Sequence, residues 1–552
     1  MKIKLLNIVT IFILGFFLDS CSESWLGEDP PHRISAESVY TSLDGFETGI
    51  NGTYSLVRLL WHDSDSRGYF FRGGTDSFTG NFVAPTVFGG MFEYWKDTNT
   101  PQRPNNESFF LWLYQIVNAA NTIISRAGEG TDINWTGGDF SADENKNRII
   151  GEAKALRAWA YRHLSYGWGD VPLVFEESKG TTIRTDWERT PVEEVRRQII
   201  SDLLFAEKFV PVEPLPGRFS KGAVQHYLAE MYLTIDKPDS TLFWANKCIN
   251  TPNYKLITER YGVKENQPGV AFMDMFEEGN RNREEGNTEA LWVIQYDQFV
   301  PGGGQNRSRR GHMSKYHQIS VNGIEPFQYT LERGGRGQCR FAFTKWALDI
   351  YESQDDRFSH YAIRKFLTIN DAETNAPYPA DRLPPGYSYG DTIWFDWSQD
   401  ITFETRNRFD WPWSKKVDGA LPENPSSSNY YGDKVELRLA DTYLLKAEAQ
   451  FKLGYSSDAA ETINIIRRRS GASDVSAGDI SIDFILDERS RELFLEEERR
   501  WTLLRTDKWM ERTQLYNHNG GQNITERDKL FPIPQSVIDA NLTKEMSQNP
   551  GY

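Results

Sequence analysis

The chain has little of what a catalyst or a disulfide-bonded scaffold displays. Only three cysteines occur in 552 residues, Cys21, Cys248 and Cys339. That is too few for a disulfide framework or a thiolate zinc site. The eight histidines are scattered, and only His312 and His317 are close in sequence. No HExxH, GxSxG, Walker loop or dinucleotide-binding glycine pattern is present. Asp63-Ser64-Asp65-Ser66-Arg67-Gly68 opens like a calcium loop, but Arg67 takes a ligand position and Gly74 stands where the closing glutamate belongs. No metal or cofactor is therefore expected. Positive charge is in deficit: 62 Lys and Arg stand against 78 Asp and Glu, a net −16. That argues against nucleic-acid binding, because phosphate neutralisation needs a basic face. Past the N-terminus, no apolar run is long enough to cross a bilayer. Composition alone leaves a hydrolase open, since among 78 carboxylates some pair falls near glycosidase spacing by chance.

What is present begins with a leader. Lys2 and Lys4 precede an apolar stretch, Leu5 to Leu18, broken only by Asn7, Thr10 and Gly15. This is a secretory pattern, too short for a comfortable span. Leu18-Asp19-Ser20-Cys21 resembles a bacterial lipobox, in which the cysteine is lipidated. A plain signal peptide cleaved nearby is the alternative. The expected plan is a leader at 1–20, a polar, Pro-containing tether at 21–35 and a single domain at 36–552. Export would permit a Cys248–Cys339 disulfide; two separate buried thiols fit equally well.

From Ala36 onward helical periodicity dominates. Ser42-Leu43-Asp44-Gly45 offers helix-start chemistry. Trp112 to Ile124 has apolar residues at three- and four-residue steps, and Ile149, Ala153, Leu156, Ala160 and Leu164 form one stripe. Two segments, Ser220–Ile249 and Leu439–Arg469, read as helix pairs with small residues at the crossings. Their order of bulky residue, alanine, Leu-Gly and spaced alanines resembles a tetratricopeptide repeat. The fold class expected is mainly α: a scaffold of such pairs with long loop-rich inserts and a few short strands.

Three inserts carry the functional signal. Residues 61–112 hold 13 aromatics in 52 positions and 386–431 hold 11 in 46, above the chain's 14%. Both are rich in Gly, Asn, Asp and Pro, which marks loops. Residues 299–345 carry eight Lys or Arg against Glu325 and Glu332, a net +6 inside an acidic protein. This stretch is either a solvated loop or a contact for something anionic. Aromatic loops on a rigid body suit sugars, whose C–H faces stack on rings while polar side chains satisfy the hydroxyls. The candidate ligand-binding residues are Trp61, Arg72, Asp76, Trp95, Asn99, Tyr296, Tyr316, Trp397 and Trp411. Trp346 begins a helical pattern and is assigned to the core.

Motifs spread along the chain carry a resemblance. They are WLYQIVNAAN from Trp112, EAKALRAWAYRHLSYGWGDVPLV from Glu152, SKGAVQHYLAEMYL from Ser220 and DIYESQDDRF from Asp349. RLADTYLLKAEA, INIIRRRSG, ILDERSRELFLEEERRW and a closing LFPIPQSVIDANLTKEMSQNPGY follow. In this order they resemble the SusD/RagB family of outer-membrane nutrient-binding lipoproteins. Two positions depart from the family pattern: Glu497 stands where glycine is usual, and Thr502 where aspartate is. Glu488, Glu492, Glu496 and Arg499 recur on one helix face and are expected to pair with Arg489, Arg500 or neighbouring helices.

The resemblance implies a non-catalytic, lipid-anchored protein of the outer membrane, facing the exterior. Its partners would be a glycan and a SusC-like TonB-dependent transporter. It transfers no site residue, because the family's binding residues lie in inserts that vary. Three other readings stay open: a peptide-capturing member of the family, a secreted glycoside hydrolase, and a helical adaptor without a small ligand. The adaptor reading predicts that the aromatics of 61–112 are buried.

Overall fold

Several helices begin at residues suited to starting them. The computed structural model describes residues 36–62, 67–81, 92–93, 95, 98–130, 132–179, 184–369 and 380–552. The leader, Cys21, the tether and Asp63–Ser66 lie outside the described residues. Ser42 caps α1 (Leu43–Arg58), its hydroxyl accepting from the Gly45 N–H at 3.4 Å. Pro104 opens α2 (Pro104–Glu129), where its missing N–H costs no helical bond. A reciprocal Ser141–Glu144 capping box opens α3 (Ala142–Trp168). The stripe Ile149, Ala153, Leu156, Ala160 and Leu164 is wholly buried on that helix.

Next come α4 (Val192–Phe209), α5 (Lys221–Thr234) and α6 (Pro238–Ile249). From α1 to α6, each helix packs against the next. The chain then departs for residues 250–438 and returns as α7 (Leu439–Lys452) and α8 (Ser456–Arg469). Helix α7 packs directly against α6, and α8 against α7. The two repeat-like pairs expected from sequence are therefore neighbours in space. Close packing explains the small residues. A Cβ on Gly222 would meet the Tyr254 ring at 2.3 Å, and Gly454, between α7 and α8, holds φ at +81°.

The excursion is loop-rich, as expected, and among the described residues is pinned by four two-stranded antiparallel ribbons. In chain order the strands are β1 (Phe78–Gly80), β2 (Ala290–Ile294), β3 (Phe341–Phe343), β4 (Ile363–Arg364), β5 (Phe366–Thr368), β6 (Thr392–Trp394), β7 (Trp413–Ser414) and β8 (Lys434–Arg438). The pairs are β1–β3, β2–β8, β4–β7 and β5–β6. Strand β8 runs straight into α7, so the β2–β8 pair roots the insert on the helical array. The largest apolar cluster draws on residues from Leu43 to Met546. A smaller one, holding Met313, Tyr316, Phe327, Leu367, Phe395 and Trp413, lies under the inserts.

The acidic helix face differs from expectation. It is not one helix: α9 (Ile482–Leu493) ends, Leu495 takes φ +66°, and α10 (Arg499–Arg505) begins anew, followed by α11 (Trp509–Tyr516). Among the described residues Arg489 and Arg500 do not pair with these glutamates; the neighbouring helix α8 supplies Arg467 and Arg469, as expected, and the other partners, Arg491 of α9 itself aside, come from other segments. Glu488 pairs with Arg357, Arg467 and Arg491. Glu492 pairs with Arg357, Arg438 and Arg469, and Glu496 with Arg438 and Lys416. Arg489 instead meets Asp441 and Glu497. The Arg500 guanidinium lies over the Trp509 ring at 4.2 Å, and burial pushes its pKa down to about 9. Cys248 and Cys339 are separate, free and buried. Burial raises their pKa values to about 12 and about 11. Trp346 is half-buried, packed against the main core and stacked on Tyr516 at 4.5 Å.

Candidate ligand-binding surface

The structure turns inward eight of the nine residues picked from sequence. Trp61 is buried, and its indole N–H donates to Glu436 at 3.0 Å. Arg72 lies over the Trp61 ring at 4.8 Å and pairs with Glu436 at 2.8 Å. Asp76 is enclosed by Arg499 and Arg512, each at 2.7 Å. Burial alone would raise its pKa, but the two guanidinium groups outweigh it and hold the carboxyl at about 2. Trp95 is buried edge-on against Trp509, with ring centroids 5.4 Å apart. Asn99 donates to Asp528 at 3.0 Å. The Tyr296 hydroxyl donates to the Arg58 carbonyl at 3.1 Å, and that of Tyr316 to Gly335 at 2.8 Å. The Trp411 indole donates to the Phe343 carbonyl at 3.1 Å.

These eight side chains are taken up by contacts inside the protein, and none of them presents an exposed face to a ligand. Trp397 alone remains half-exposed, against the small cluster. Every described aromatic of 61–112 is buried. That was the mark set for the adaptor reading, but exposed rings occur on the other two inserts.

The first exposed group sits on the β5–β6 ribbon. Register pairs Phe366 with Trp394, Leu367 with Ile393 and Thr368 with Thr392. Strand alternation sends Leu367 and Ile393 toward the small core and leaves the Phe366, Thr368, Thr392 and Trp394 side outward. Trp394 is 60% exposed. Its ring lies 4.7 Å from that of Phe366, and His360 continues the row at 5.9 Å from Phe366. Sequence reasoning passed over Trp394 and chose Trp397 three residues on. The signal that could have found Trp394 was the Thr-Ile-Trp alternation, with the core residue at its centre.

The second group lies where the three inserts meet. The Asn81 N–H donates to the Arg340 carbonyl, and the Lys315 N–H to that of Arg408, both at 2.7 Å. Arg408 Nε donates to the Gln338 carbonyl at 2.8 Å. Around this junction stand Lys315, His317, Tyr329, Arg336 and the exposed Phe409. Lys315 Nζ is 5.6 Å from the Phe409 ring centre, and the Tyr329 hydroxyl is bonded to His317 Nε2 at 2.8 Å. Burial, with Lys315 and Arg336 nearby, pushes the His317 pKa down to about 4, so the ring is neutral at pH 7.

One ring spine underlies both groups. Tyr329 meets Tyr316 edge-on at 5.9 Å, Tyr316 stacks on Trp413 at 5.7 Å, and Trp413 stacks on Phe395 at 5.4 Å. Phe395 directly follows Trp394 in β6. The exposed rings are thus carried on a packed base, which limits the rotamer entropy lost when they bind. The described surface can present flat apolar faces beside cations and hydroxyls.

Comparison with known proteins agrees with this architecture. A family profile described as "SusD family" matches residues 288–552, and one described as "Starch-binding associating with outer membrane" matches residues 77–233. The chain is similar to SusD-like protein P2 of Formosa agariphila, 25% identical over 99% of both chains. It is also similar to the starch-binding protein SusD of Bacteroides thetaiotaomicron, 34% identical over 21% of each chain. Among solved structures, a laminarin-binding SusD-like protein superposes with a TM-score of 0.67 at 20% identity, covering 92% of this chain and 99% of the other. The two family profiles, which together span most of the chain, and the relative alignable over almost its whole length place this chain in the SusD/RagB family.

Proposed function

We propose that the protein captures glycans at the cell surface without cleaving them. It then hands them to a SusC-like TonB-dependent transporter of the outer membrane, where lipid on Cys21 anchors it. The observation that carries this reading is the outward ribbon, with Trp394 60% exposed beside Phe366. A sugar ring lays its C–H face on such an indole, and Thr368 and Thr392 on the same side can bond its hydroxyls. Family membership supports it, as do relatives named for binding starch and laminarin. Stacking on an open surface gives affinities of roughly micromolar to millimolar. Tethering beside a transporter raises the effective concentration of captured glycan and makes such affinities sufficient.

The test is calorimetric titration of the full chain in detergent against neutral and acidic oligosaccharides and mixed peptides. The recovered sugar is sized in the same samples. An oligosaccharide that binds, survives intact and is lost with Trp394→Ala is the expected result. Shortened sugar would replace capture with hydrolysis. Peptide binding alone would move the protein to the peptide-capturing branch of the family.

A further inference from the structure

Buried cations in this protein are commonly matched by carboxylates, or, as with Arg309 and Arg500, by backbone carbonyls. Fully buried Arg357, Arg438 and Arg469 each meet two or more acidic side chains. The basic insert contains two exceptions. Lys315 and Arg336 are half-buried, and neither side chain has a hydrogen bond or an ion pair among the described residues. The Arg336 Nε is itself buried without a partner. The charges that act on Lys315 are those of Arg408 and Arg336. Burial first, and then these two cations, push its ammonium pKa down, and no carboxylate among the described residues opposes them.

Neighbouring residues of the same stretch behave differently. Arg309 donates to the Ser427 carbonyl at 2.7 Å and Arg333 to the Thr368 carbonyl at 3.3 Å, so both hold loops together. Arg307 donates to Asn429 at 3.1 Å. The positive surplus of the insert is therefore not spread evenly over a solvated loop. Part of it is gathered at the junction of the three inserts, next to the exposed Phe409 ring and the His317–Tyr329 pair. Two half-desolvated like charges raise the free energy of the unliganded protein, and an oxyanion between them removes that cost. A guanidinium and an ammonium are the groups that recognise such an anion.

We propose that Lys315 and Arg336 form a subsite for the anionic group, carboxylate or sulfate, of an acidic glycan. The Phe409 ring takes the apolar face of the same residue or its neighbour, and neutral His317 or Tyr329 bonds a hydroxyl. This rests on the glycan-capture reading and narrows it to acidic polysaccharides.

The experiment is titration of the full chain in detergent with four probes. These are an oligogalacturonate, its carboxyl-reduced neutral counterpart, a sulfated galactan oligosaccharide and an oligoglutamate peptide. Arg336→Gln and Lys315→Gln are each expected to weaken binding of an acidic sugar by about tenfold or more. Neutral sugar binding should not change, and Arg336→Lys should recover part of the loss. Affinity for the acidic sugar should fall as salt rises. Melting temperature should hold or rise in both glutamine variants, since no protein partner is removed. Whichever of the galacturonate and the sulfate binds identifies the anion. Equal affinity for charged and reduced sugars, a flat salt series and unaffected variants would overturn the inference and leave glycan capture standing. Oligoglutamate binding with the same variant and salt dependence would overturn it in favour of a peptide. Failure of every sugar to bind would overturn both readings.

Discussion

Glu492→Gln tests the physical account of the scaffold directly. Glu492 is fully buried near the end of α9, with Arg438 at 2.9 Å, Arg357 at 3.2 Å and Arg469 in contact. The surrounding cluster is charge-balanced: Arg357, Lys416, Arg438, Arg467 and Arg469 face Glu289, Asp355, Glu488, Glu492 and Glu496. Glutamine keeps the volume but removes one negative charge and turns an N–H₂ toward guanidinium donors. The variant therefore isolates charge from packing. Breaking one member of a buried, hydrogen-bonded set costs about 3–5 kcal/mol. Unfolding entropy of about 2.1 cal/mol/K per residue gives about 1 kcal/mol/K for a chain with roughly 500 ordered residues, so Tm should fall by about 3–5 °C. Scanning calorimetry at neutral pH, repeated at several scan rates to detect irreversibility, reads this. A Tm within about 1 °C of the parent would refute the claim that the carboxylate's charge holds these segments together.

Other outcomes follow from the same geometry. Trp394→Ala should weaken glycan binding about tenfold, or about 1.4 kcal/mol, with Tm unchanged, as read by titration and calorimetry. Trp61→Ala or Trp411→Ala should instead cost about 3–5 kcal/mol of stability in denaturant unfolding, because both rings are core. For acid unfolding, burial would raise the Glu488 pKa, but Arg357, Arg491 and Arg467 hold it at about 2, below its ordinary 4.5. A folded pKa below the unfolded one gives stability that is full above about pH 4.5 and lost as pH falls toward 2. Circular dichroism from pH 7 to pH 2 should show the loss confined to that window. Cys248 and Cys339 should resist a thiol reagent in the native protein and both react in denaturant, since they are buried and their pKa values are raised. Reaction of fewer than two thiols in denaturant without reductant would contradict the free state of the pair.

How much of the surface was legible depended on which direction a residue faces. The enrichment of rings in 61–112 and 386–431 was visible in composition. Yet Trp61, Trp95 and Trp411 bury themselves, while Trp394 stands out. Burial and display ask for the same residue types, so composition cannot separate them. Separation comes from the register of β5 on β6, which sets Leu367 and Ile393 inward and Trp394 outward. Arg72 and Asp76 looked like sugar ligands for the same reason. Their partners, Glu436, Arg499 and Arg512, lie more than 350 residues away and could not be paired with them from spacing.

By itself the sequence determined the helical periodicity, the helix start at Ser42, the small-residue crossings of the two repeat-like pairs, the family and the existence of a basic stretch in an acidic chain. These are local quantities: hydrophobic period, side-chain size, hydrogen-bonding groups at helix ends and net charge. Only the tertiary structure decided that α6 meets α7 across residues 250–438, and that the acidic face of α9 is neutralised by segments from three other parts of the chain. It also decided that Lys315 and Arg336 come together with no counter-charge among the described residues. Those outcomes depend on which distant groups share a desolvated space. Burial and Coulomb interactions act on separation in space and not in sequence, so they were fixed only when the chain closed on itself.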